Sequence, residues 1–181
     1  MTEHVISQAR TADLPEVARL VNSAYRGEAA RQGWSHEADL LDGQRTDPVF
    51  LAEQLAGPHP SVVLCLREAE TGPILACVFL ELVRGDTDAA RCDLGMLTVL
   101  PALQACGLGR ILLTGAEDFA RIWGAAALMI SVISVRQELI AWYERRGFRR
   151  TGETEPFPYE DERFGRPRSD DLGFFVLAKT L

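Results

Sequence analysis

Two glycines one residue apart, Gly107 and Gly109, stand between a β-rich apolar run and an amphipathic run. The segment reads Gln104-Ala105-Cys106-Gly107-Leu108-Gly109-Arg110, and we call it the glycine turn. When a strand passes through such a turn directly into a helix, several backbone N–H groups and the positive end of the helix point toward one place. The pattern therefore predicts an anion site, and a pyrophosphate is the anion that suits it best.

The glycine pair on its own also fits an ordinary tight turn between a strand and a helix. A P-loop is excluded because no Gly-Lys-Ser/Thr follows Gly109. A dinucleotide-binding turn is disfavoured because residues 110–113 occupy the stretch where a third glycine would stand. The strands before the turn are also predicted to be antiparallel, whereas a dinucleotide-binding unit is parallel.

Hydrophobic patterning predicts the elements that must position this turn. Three apolar runs precede it, over Val62–Arg67, Ile74–Val83 and Ala90–Val99, and the short breaks at 71–73 and 84–86 predict antiparallel neighbours. An edge strand is expected at 3–8, followed by a helix from about Asp13 and an irregular segment over 26–60. After the turn the pattern predicts a helix over 108–122, a strand over 128–135, a helix over 137–146 and strands beginning near 148 and 174. This order predicts a mixed α/β sheet, of the α+β type, with helices on both faces.

A second motif lies at the end of the last predicted helix, where the chain reads Tyr143-Glu144-Arg145-Arg146-Gly147-Phe148. Together with the glycine turn, it resembles the GCN5-related N-acetyltransferase (GNAT) family. The core motif of that family is a strand, a Gln/Arg-x-x-Gly-x-Gly/Ala turn and a helix, with Tyr-Glu-x-x-Gly-Phe downstream. The resemblance implies the GNAT fold, a central, mostly antiparallel, splayed sheet of about six or seven strands flanked by about four helices. It implies one such domain over residues 1–181.

The resemblance also implies an N-acetyltransferase that uses acetyl-CoA and transfers the acetyl group to a primary amine by direct attack in a ternary complex. Backbone amides of the glycine turn, from Gly107 to Arg110, would hold the pyrophosphate of CoA. The main chain of Leu97 and Val99 would pair with the pantetheine arm, and the Val99 N–H would polarise the thioester carbonyl. The implied cofactor-binding set is Leu97, Thr98, Val99, Gln104, Ala105, Cys106, Gly107, Leu108, Gly109, Arg110 and Arg136.

Arg136 belongs to that set because many relatives carry an asparagine near the start of the tyrosine helix, where it contacts pantetheine. This chain reads Ser134-Val135-Arg136-Gln137-Glu138 there. Either Arg136 or Gln137 replaces the asparagine, or the contact is absent.

Tyr143 matches the position at which the family often has a tyrosine that protonates the departing thiolate. A phenol, with a pKa of about 10, is roughly matched to an alkyl thiol. The alternative is a core tyrosine, since Leu139 lies four residues earlier on the same helix face.

Two acids are candidates for the general base. Asp93 lies where some histone-type members carry a glutamate base, and strand alternation predicts that it shares a face with Gly95, Leu97 and Val99. Glu81 is an acid inside an apolar β-rich run, where burial would raise its pKa. Both are equally compatible with solvated or salt-bridged acids, and a water relay would make either unnecessary.

The segments 26–60 and 153–171 flank the cleft in the family and are expected to recognise the acceptor, predicted to be a small-molecule amine. Trp34 is a candidate for stacking on the substrate, and Arg45 for bidentate binding of a carboxylate. The alternatives are local packing for Trp34 and a surface ion pair for Arg45.

Composition excludes several other classes. The formal net charge of −7 comes without a basic block, which disfavours nucleic acid as a partner. An anionic cofactor remains compatible because a local ring of amides suffices to bind one, and the acidic balance suits a cationic acceptor. No apolar run approaches the roughly 18 residues of a membrane span, and no secretory signal is evident, so we expect a cytoplasmic protein without a membrane partner.

The four cysteines form no C-x-x-C pair and lie far from most histidines, so no metal site is expected. Cys65, Cys77 and Cys92 lie in apolar runs and are expected to be buried thiols, whereas Cys106 lies in the glycine turn.

Two other functions remain open at this point. One is a non-catalytic acyl-CoA-binding or regulatory module that keeps the fold, and the other is an acetyltransferase for protein or peptide amines. Exposed edge strands at the C-terminal end would permit a homodimer.

Overall fold

The computed structural model describes residues 4–85 and 89–181. Two residues of the predicted elements lie outside this range: Glu3 of the first strand and Asp86 of the 84–86 break. The α helices are α1 (Leu14–Tyr25), α2 (Gly27–Ala30), α3 (Pro48–Leu55), α4 (Leu108–Ile122) and α5 (Gln137–Glu144). The strands are β1 (Val5–Gln8), β2 (Leu41–Asp42), β3 (Ser61–Arg67), β4 (Ile74–Val83), β5 (Arg91–Val99), β6 (Ala127–Ile133), β7 (Arg149–Pro156), β8 (Arg166–Pro167) and β9 (Gly173–Thr180).

One seven-stranded sheet has the order β1-β3-β4-β5-β6-β9-β7. Its neighbours are antiparallel except β5 and β6, which are parallel. A parallel pair needs a crossover, and α4 supplies it between those two strands. The predicted fold class, a mixed and mostly antiparallel sheet flanked by helices, is confirmed, and the segment 26–60 contains the two short helices α2 and α3.

Helices cover both faces of the sheet because its central strands are apolar on both sides. On one face, α4 and α5 pack on side chains such as Leu80 and Leu128. On the other face, α1 and Leu51 of α3 pack on Val63, Cys65 and Phe79. The predicted burial of Cys65, Cys77 and Cys92 is confirmed.

A β-bulge interrupts β5 at Met96. Cys77 pairs with Thr98 and Phe79 with Gly95, so two residues of β5, Met96 and Leu97, oppose one residue of β4. Met96 has φ of 51°, a left-handed conformation that non-glycine residues rarely adopt. The extra residue reverses the direction in which every later side chain of the strand points.

The bulge corrects the expectation that Asp93 shares a face with Val99. Asp93 pairs with Glu81 and Val99 pairs with Ala76, and Ala76 and Glu81 lie on opposite faces of β4 because they are an odd number of residues apart. Simple alternation fails here because a bulge shifts the period by one residue.

Strands β5 and β6 separate soon after they meet. Their pairing covers only Arg91–Asp93 with Ala127–Met129, whereas β6 continues to pair with β9 as far as Ile133. A bulge bends its strand and increases its twist, so the rest of β5, from Leu94 to Val99, turns away from β6. The predicted splay of the sheet is thus located at this pair of strands.

The two segments expected to flank the cleft are joined to each other. Strand β2 pairs with β8, with Leu41 opposite Pro167 and Asp42 opposite Arg166. Helix α3 begins after Asp47, whose Oδ1 accepts hydrogen bonds of 2.9 Å from the amides of Val49 and Phe50.

Within the described part of the chain, none of the helices is long and apolar enough to cross a bilayer.

Leu80 is central to the larger core and is fully shielded from solvent, with 0% exposure. We expect Leu80→Ala to lower the free energy of unfolding by about 2–5 kcal/mol, because it removes buried methyl groups and leaves a cavity. Urea denaturation measures this. Ile122→Ala is the matched control: Ile122 is 83% exposed, so the change should stay within about 0.5 kcal/mol. Equal effects would contradict the placement of the core.

Candidate active site

Two cavities lie where β5 and β6 separate. The larger, of about 530 Å³, is bordered by the end of β5, the glycine turn and α5. The smaller, of about 100 Å³, lies between the bulged part of β5 and the end of β6. Tyr25, Leu97 and Leu139 line both, so the cavities meet at these three side chains. We call this shared wall the junction of the cavities.

The glycine turn presents free backbone amides to the larger cavity. Gly107 precedes α4 and has φ of 87°, which a residue with a Cβ adopts only with strain. Among the described residues, the amides of Gly107, Leu108 and Gly109 find no backbone acceptor, whereas the Arg110 amide donates to the Gly107 carbonyl at 3.0 Å. Three of the four predicted pyrophosphate-binding amides are therefore available, and that of Arg110 is not.

Three arginines, Arg110, Arg145 and Arg146, border the same cavity, where Glu138 is the only acid of the lining. The Arg146 guanidinium lies 3.6 Å from the ring centroid of Trp142 and donates to the Trp142 carbonyl at 2.7 Å. Its Nε is buried without a hydrogen-bond partner. Burial lowers the pKa of Arg146, and Arg145 and Arg110 lower it further. An anion in this cavity would offset the repulsion among the three guanidinium groups.

Gln104 joins the glycine turn to the segment after α2. Its Oε1 accepts from the Ser35 amide at 3.1 Å, and its Nε2 donates to the Val99 carbonyl at 3.3 Å. A Cβ at Gly33 would meet the end of this flexible side chain, so a larger residue there would require Gln104 to shift. The contact brings Trp34 and Ser35 to the wall of the larger cavity.

Tyr143 is both a core residue and a cavity residue. It is 2% exposed and packs edge-on against Trp142 and Phe148, and it also lines the smaller cavity. Burial raises its pKa, and the neighbouring Tyr25 raises it further. The phenol therefore stays protonated at neutral pH.

The smaller cavity carries three guanidinium groups, from Arg26, Arg45 and Arg136, and one carboxylate, from Glu37. Glu37 receives a hydrogen bond from Arg26 and one of 3.3 Å from Arg136, whose Nη2 also donates to Ser35 Oγ at 2.9 Å. Burial alone would raise the pKa of Glu37, but Arg136 and Arg26 together bring it below its ordinary value. Glu37 is therefore ionised and a poor general base.

Tyr25, the last residue of α1, was not expected in the site. Its hydroxyl donates to the Leu97 carbonyl at 3.1 Å, at the junction of the cavities. Burial raises its pKa, and Glu37 contributes to the same shift. In the sequence it only completes an amphipathic helix, so nothing local distinguishes it. The same holds for Arg26 and Glu37, which lie in a mixed polar segment without a motif.

Of the predicted cofactor set, the larger cavity brings together Leu97, Thr98, Val99, Gln104, Ala105, Gly107, Gly109 and Arg110. The other three do not line it with their side chains, although the Leu108 amide belongs to the glycine turn. Cys106 is exposed on the turn, the Leu108 side chain is buried in the core, and Arg136 lines the smaller cavity. The placement of Arg136 does not support a contact with pantetheine.

The predicted bases lie apart from both cavities. Asp93 forms an ion pair of 3.0 Å with Arg91 on the exposed start of β5, and Glu81 stands opposite it on β4. Neither lines a cavity. The two predicted substrate residues lie in different cavities: Arg45 lines the smaller cavity, whereas Trp34 lines the larger one.

A family model described as "Acetyltransferase (GNAT) family" matches residues 16–148, which include α1, the glycine turn, α5 and Tyr143. The chain belongs to the GNAT acetyltransferase family. The resemblance inferred from the glycine turn and from residues 143–148 is thereby confirmed. Both GNAT motifs border the larger cavity.

Solved structures show the same GNAT fold over essentially the whole chain. A protein provisionally designated a phosphinothricin N-acetyltransferase is 20% identical, with a TM-score of 0.70 and 99% of each chain covered. The ribosomal-protein-alanine N-acetyltransferase from Brucella melitensis is 21% identical, with a TM-score of 0.69, covering 98% of this chain and 99% of that one. The Salmonella typhimurium protein yncA, whose structure contains acetyl-CoA as its cofactor, is 23% identical, with a TM-score of 0.63 and 99% and 94% covered. No curated protein matches the chain in sequence.

Metal chemistry has no visible ligand set in the described parts of the chain. Residues 4–85 and 89–181 contain no group of three or more histidine, cysteine, aspartate or glutamate side chains placed to hold a metal ion.

Cys106 is the exposed thiol of the glycine turn, whereas Cys65, Cys77 and Cys92 are buried. Burial raises the pKa of Cys65 to about 12 and that of Cys92 to about 12, and it raises the pKa of Cys77 as well. Thiolates are the reactive form. We therefore expect an aromatic disulfide reagent to label one thiol rapidly in the native protein and all four in denaturant. Cys106→Ser should abolish the rapid phase; its persistence would contradict this assignment.

Proposed function

We propose that this protein is an acetyl-CoA-dependent N-acetyltransferase that transfers the acetyl group to a primary amine of a small molecule in a ternary complex. The observation that carries the proposal is the pair of cavities that meet at Tyr25, Leu97 and Leu139. The larger opens onto a phosphate-binding turn, and the smaller is a confined space with charged walls. This arrangement suits a donor on one side and an acceptor on the other.

The donor side fits CoA. Free amides of the glycine turn would hold the pyrophosphate, and its negative charge would offset the repulsion among Arg110, Arg145 and Arg146 on the same cavity wall. Among the described residues, the backbone of β5 beyond the bulge has no strand partner on the β6 side, so it offers an edge to an extended pantetheine arm. The yncA structure with acetyl-CoA supports the same donor. When bound, acetyl-CoA supplies a thioester carbonyl for attack.

The acetyl group would lie at the cavity junction. Leu97 lines both cavities, whereas Val99 lines only the larger. Residues two apart on a strand are separated by about 7 Å. The Leu97 N–H is therefore better placed than the Val99 N–H to stabilise the developing oxyanion. We accordingly assign the hydrogen bond to the oxyanion to Leu97 rather than to Val99.

Tyr143 is the proposed proton donor to the departing sulfur. It borders the smaller cavity from α5, on the acceptor side of Leu139. Its raised pKa keeps the proton on the phenol across the neutral range, although it makes the group a weaker acid than a free tyrosine. Hydrogen bonding to the thiolate as it forms is the role that this pKa favours.

The acceptor amine must be neutral to attack. The lining of the smaller cavity has three cations and one anion, so it disfavours a bound ammonium ion and lowers the pKa of the amine. In the positive field of this cavity, the proton of the amine would pass to water, and no side chain would be needed as a general base. Asp93 and Glu81 are accordingly left out of the proposed mechanism.

Release of free CoA tests the proposal. Acetyl-CoA would be incubated with a panel of small amines, and the thiol product would be followed together with the mass of the acetylated amine. Saturable transfer to a small amine is the expected result. Acetyl-CoA binding without transfer would favour a non-catalytic acyl-CoA module, and faster transfer to peptides would favour a protein acetyltransferase.

Tyr143→Phe removes the proposed proton donor and keeps the ring packing against Trp142 and Phe148. We expect turnover to fall by about 100-fold or more, with the Kd of acetyl-CoA changed little, as measured by steady-state kinetics and calorimetry. Tyr25→Phe is the matched control, since it removes the other hydroxyl at the junction. A greater loss in Tyr25→Phe would transfer the role to Tyr25.

Arg146→Gln removes one of the three positive charges that border the larger cavity. We expect the Kd of acetyl-CoA to rise by about 10- to 100-fold, the value of a charged hydrogen bond. Arg149→Gln, at the exposed start of β7, serves as control and should leave the Kd unchanged. Equal affinities of both variants and the parent would place the phosphates elsewhere.

A further inference from the structure

The smaller cavity differs in charge from the molecule that contains it. The chain has a formal net charge of −7, yet three arginines and one glutamate line this cavity. Inside a confined, partly buried space, nearby charges interact far more strongly than distant surface charges, which solvent and salt screen. The local excess of two positive charges therefore governs what binds there.

Two of the three arginines are already committed to the protein. Arg26 donates to Glu37 and, at 3.1 Å, to the Phe164 carbonyl. Arg136 donates to Glu37 and to Ser35 Oγ. Both guanidinium groups are nearly buried, with side-chain exposures of 5% and 8%. They share one carboxylate and hold together the segments that enclose the cavity.

Arg45 is the third and is uncommitted. Within residues 4–85 and 89–181, no carboxylate oxygen lies within 4.0 Å of its guanidinium, and that group makes no hydrogen bond. Its guanidinium carbon lies 5.9 Å from the centroid of the Tyr25 ring. The sequence-based alternative of a surface ion pair for Arg45 is therefore not what the structure shows.

The backbone holds Arg45 in this position. Asn22 Oδ1, from α1, accepts hydrogen bonds from the amides of Arg45 at 2.6 Å and of Thr46 at 3.2 Å, and Asn22 Nδ2 donates to the Thr46 carbonyl at 2.8 Å. These three hydrogen bonds tie the backbone of Arg45 and Thr46 to α1. The Arg45 side chain therefore starts from a fixed backbone position beside the smaller cavity, which it lines.

We propose, on the basis of the proposed acetyltransferase function, that the acceptor is a small amine that also carries a carboxylate, and that Arg45 binds this carboxylate. A planar guanidinium binds a carboxylate through two parallel hydrogen bonds. The carboxylate cancels one of the two excess positive charges, and the remaining one still keeps the amine neutral for attack. A cationic acceptor, which the overall charge suggested, is disfavoured at this cavity.

The test compares matched pairs of acceptors. Each pair consists of a small amino acid, with the carboxylate in the α, β or γ position, and the amine that lacks only the carboxylate. Values of kcat/KM are expressed per concentration of neutral amine, so that the two members are compared in the same protonation state. For the parent protein, at least one amino acid should exceed its partner by about 10- to 100-fold.

Variants of Arg45 assign that preference to its side chain. In Arg45→Gln the ratio within the preferred pair should fall toward one, and Arg45→Lys should retain part of it, because a lysine keeps the charge but not the two-pronged geometry. Arg121→Gln on the exposed end of α4, where Arg121 pairs with Asp118, is the matched control and should keep the ratio.

Two results would overturn the acceptor class while leaving acetyl transfer intact. One is a preference, in every pair, for the amine without the carboxylate or for a C-terminally amidated peptide. The other is an equal loss of activity toward both members in Arg45→Gln.

If no amine in the panel releases CoA, the proposed function fails, and binding decides the acceptor class separately. The probes are then N-acetyl amino acids and the matching N-acetyl amines, titrated into the CoA-loaded protein by calorimetry. Tighter binding of the carboxylate-bearing probe, lost in Arg45→Gln, supports the proposal. Equal binding of the two, or no binding of either, overturns it.

Discussion

Strands β5 and β6 are hydrogen-bonded only over Arg91–Asp93 and Ala127–Met129, and the separation that follows makes room for both cavities. The extra residue at Met96 bends β5 away from its neighbour while β5 keeps its pairing with β4. Strand β6 meanwhile stays with β9. The sheet is thus continuous where Arg91–Asp93 pair with Ala127–Met129 and open beyond Asp93. The opening leaves a free strand edge in the interior of the sheet, with which a ligand can pair.

The second constraint is electrostatic. Burying Arg26, Glu37 and Arg136 together is costly unless their hydrogen bonds are satisfied, and removing one partner from such a group leaves a charge unpaired. Here the bonds reach Phe164 and Ser35, so the group also ties two separate segments to the site. The same group leaves Arg45 as an excess charge. A protein that is acidic overall therefore contains a cationic cavity, and only this local field acts on a bound acceptor.

Sequence reasoning succeeded where the signal is local. The bounds of β4 and α4 follow from hydrophobic periodicity and agree with the structure, and eight residues predicted for the cofactor line one cavity. The prediction that Asp93 shares a strand face with Val99 failed, because strict alternation assumes that no residue is inserted. No motif in the sequence predicts the bulge at Met96. Sequence reasoning also missed Tyr25 and Glu37, which reach the site from a helix end and an irregular segment that carry no motif.

The family, the order of elements and the glycine turn can be read from the chain alone, because they depend on residues that are neighbours in sequence. Which charges meet and which remain unpaired depends instead on how distant segments pack together. Arg26, Glu37, Arg45 and Arg136 converge through the packing of α1, the β2–β8 ladder and the end of β6. The larger cavity is therefore bordered by two local motifs, whereas the smaller cavity is enclosed by contacts between segments as far apart as 138 residues.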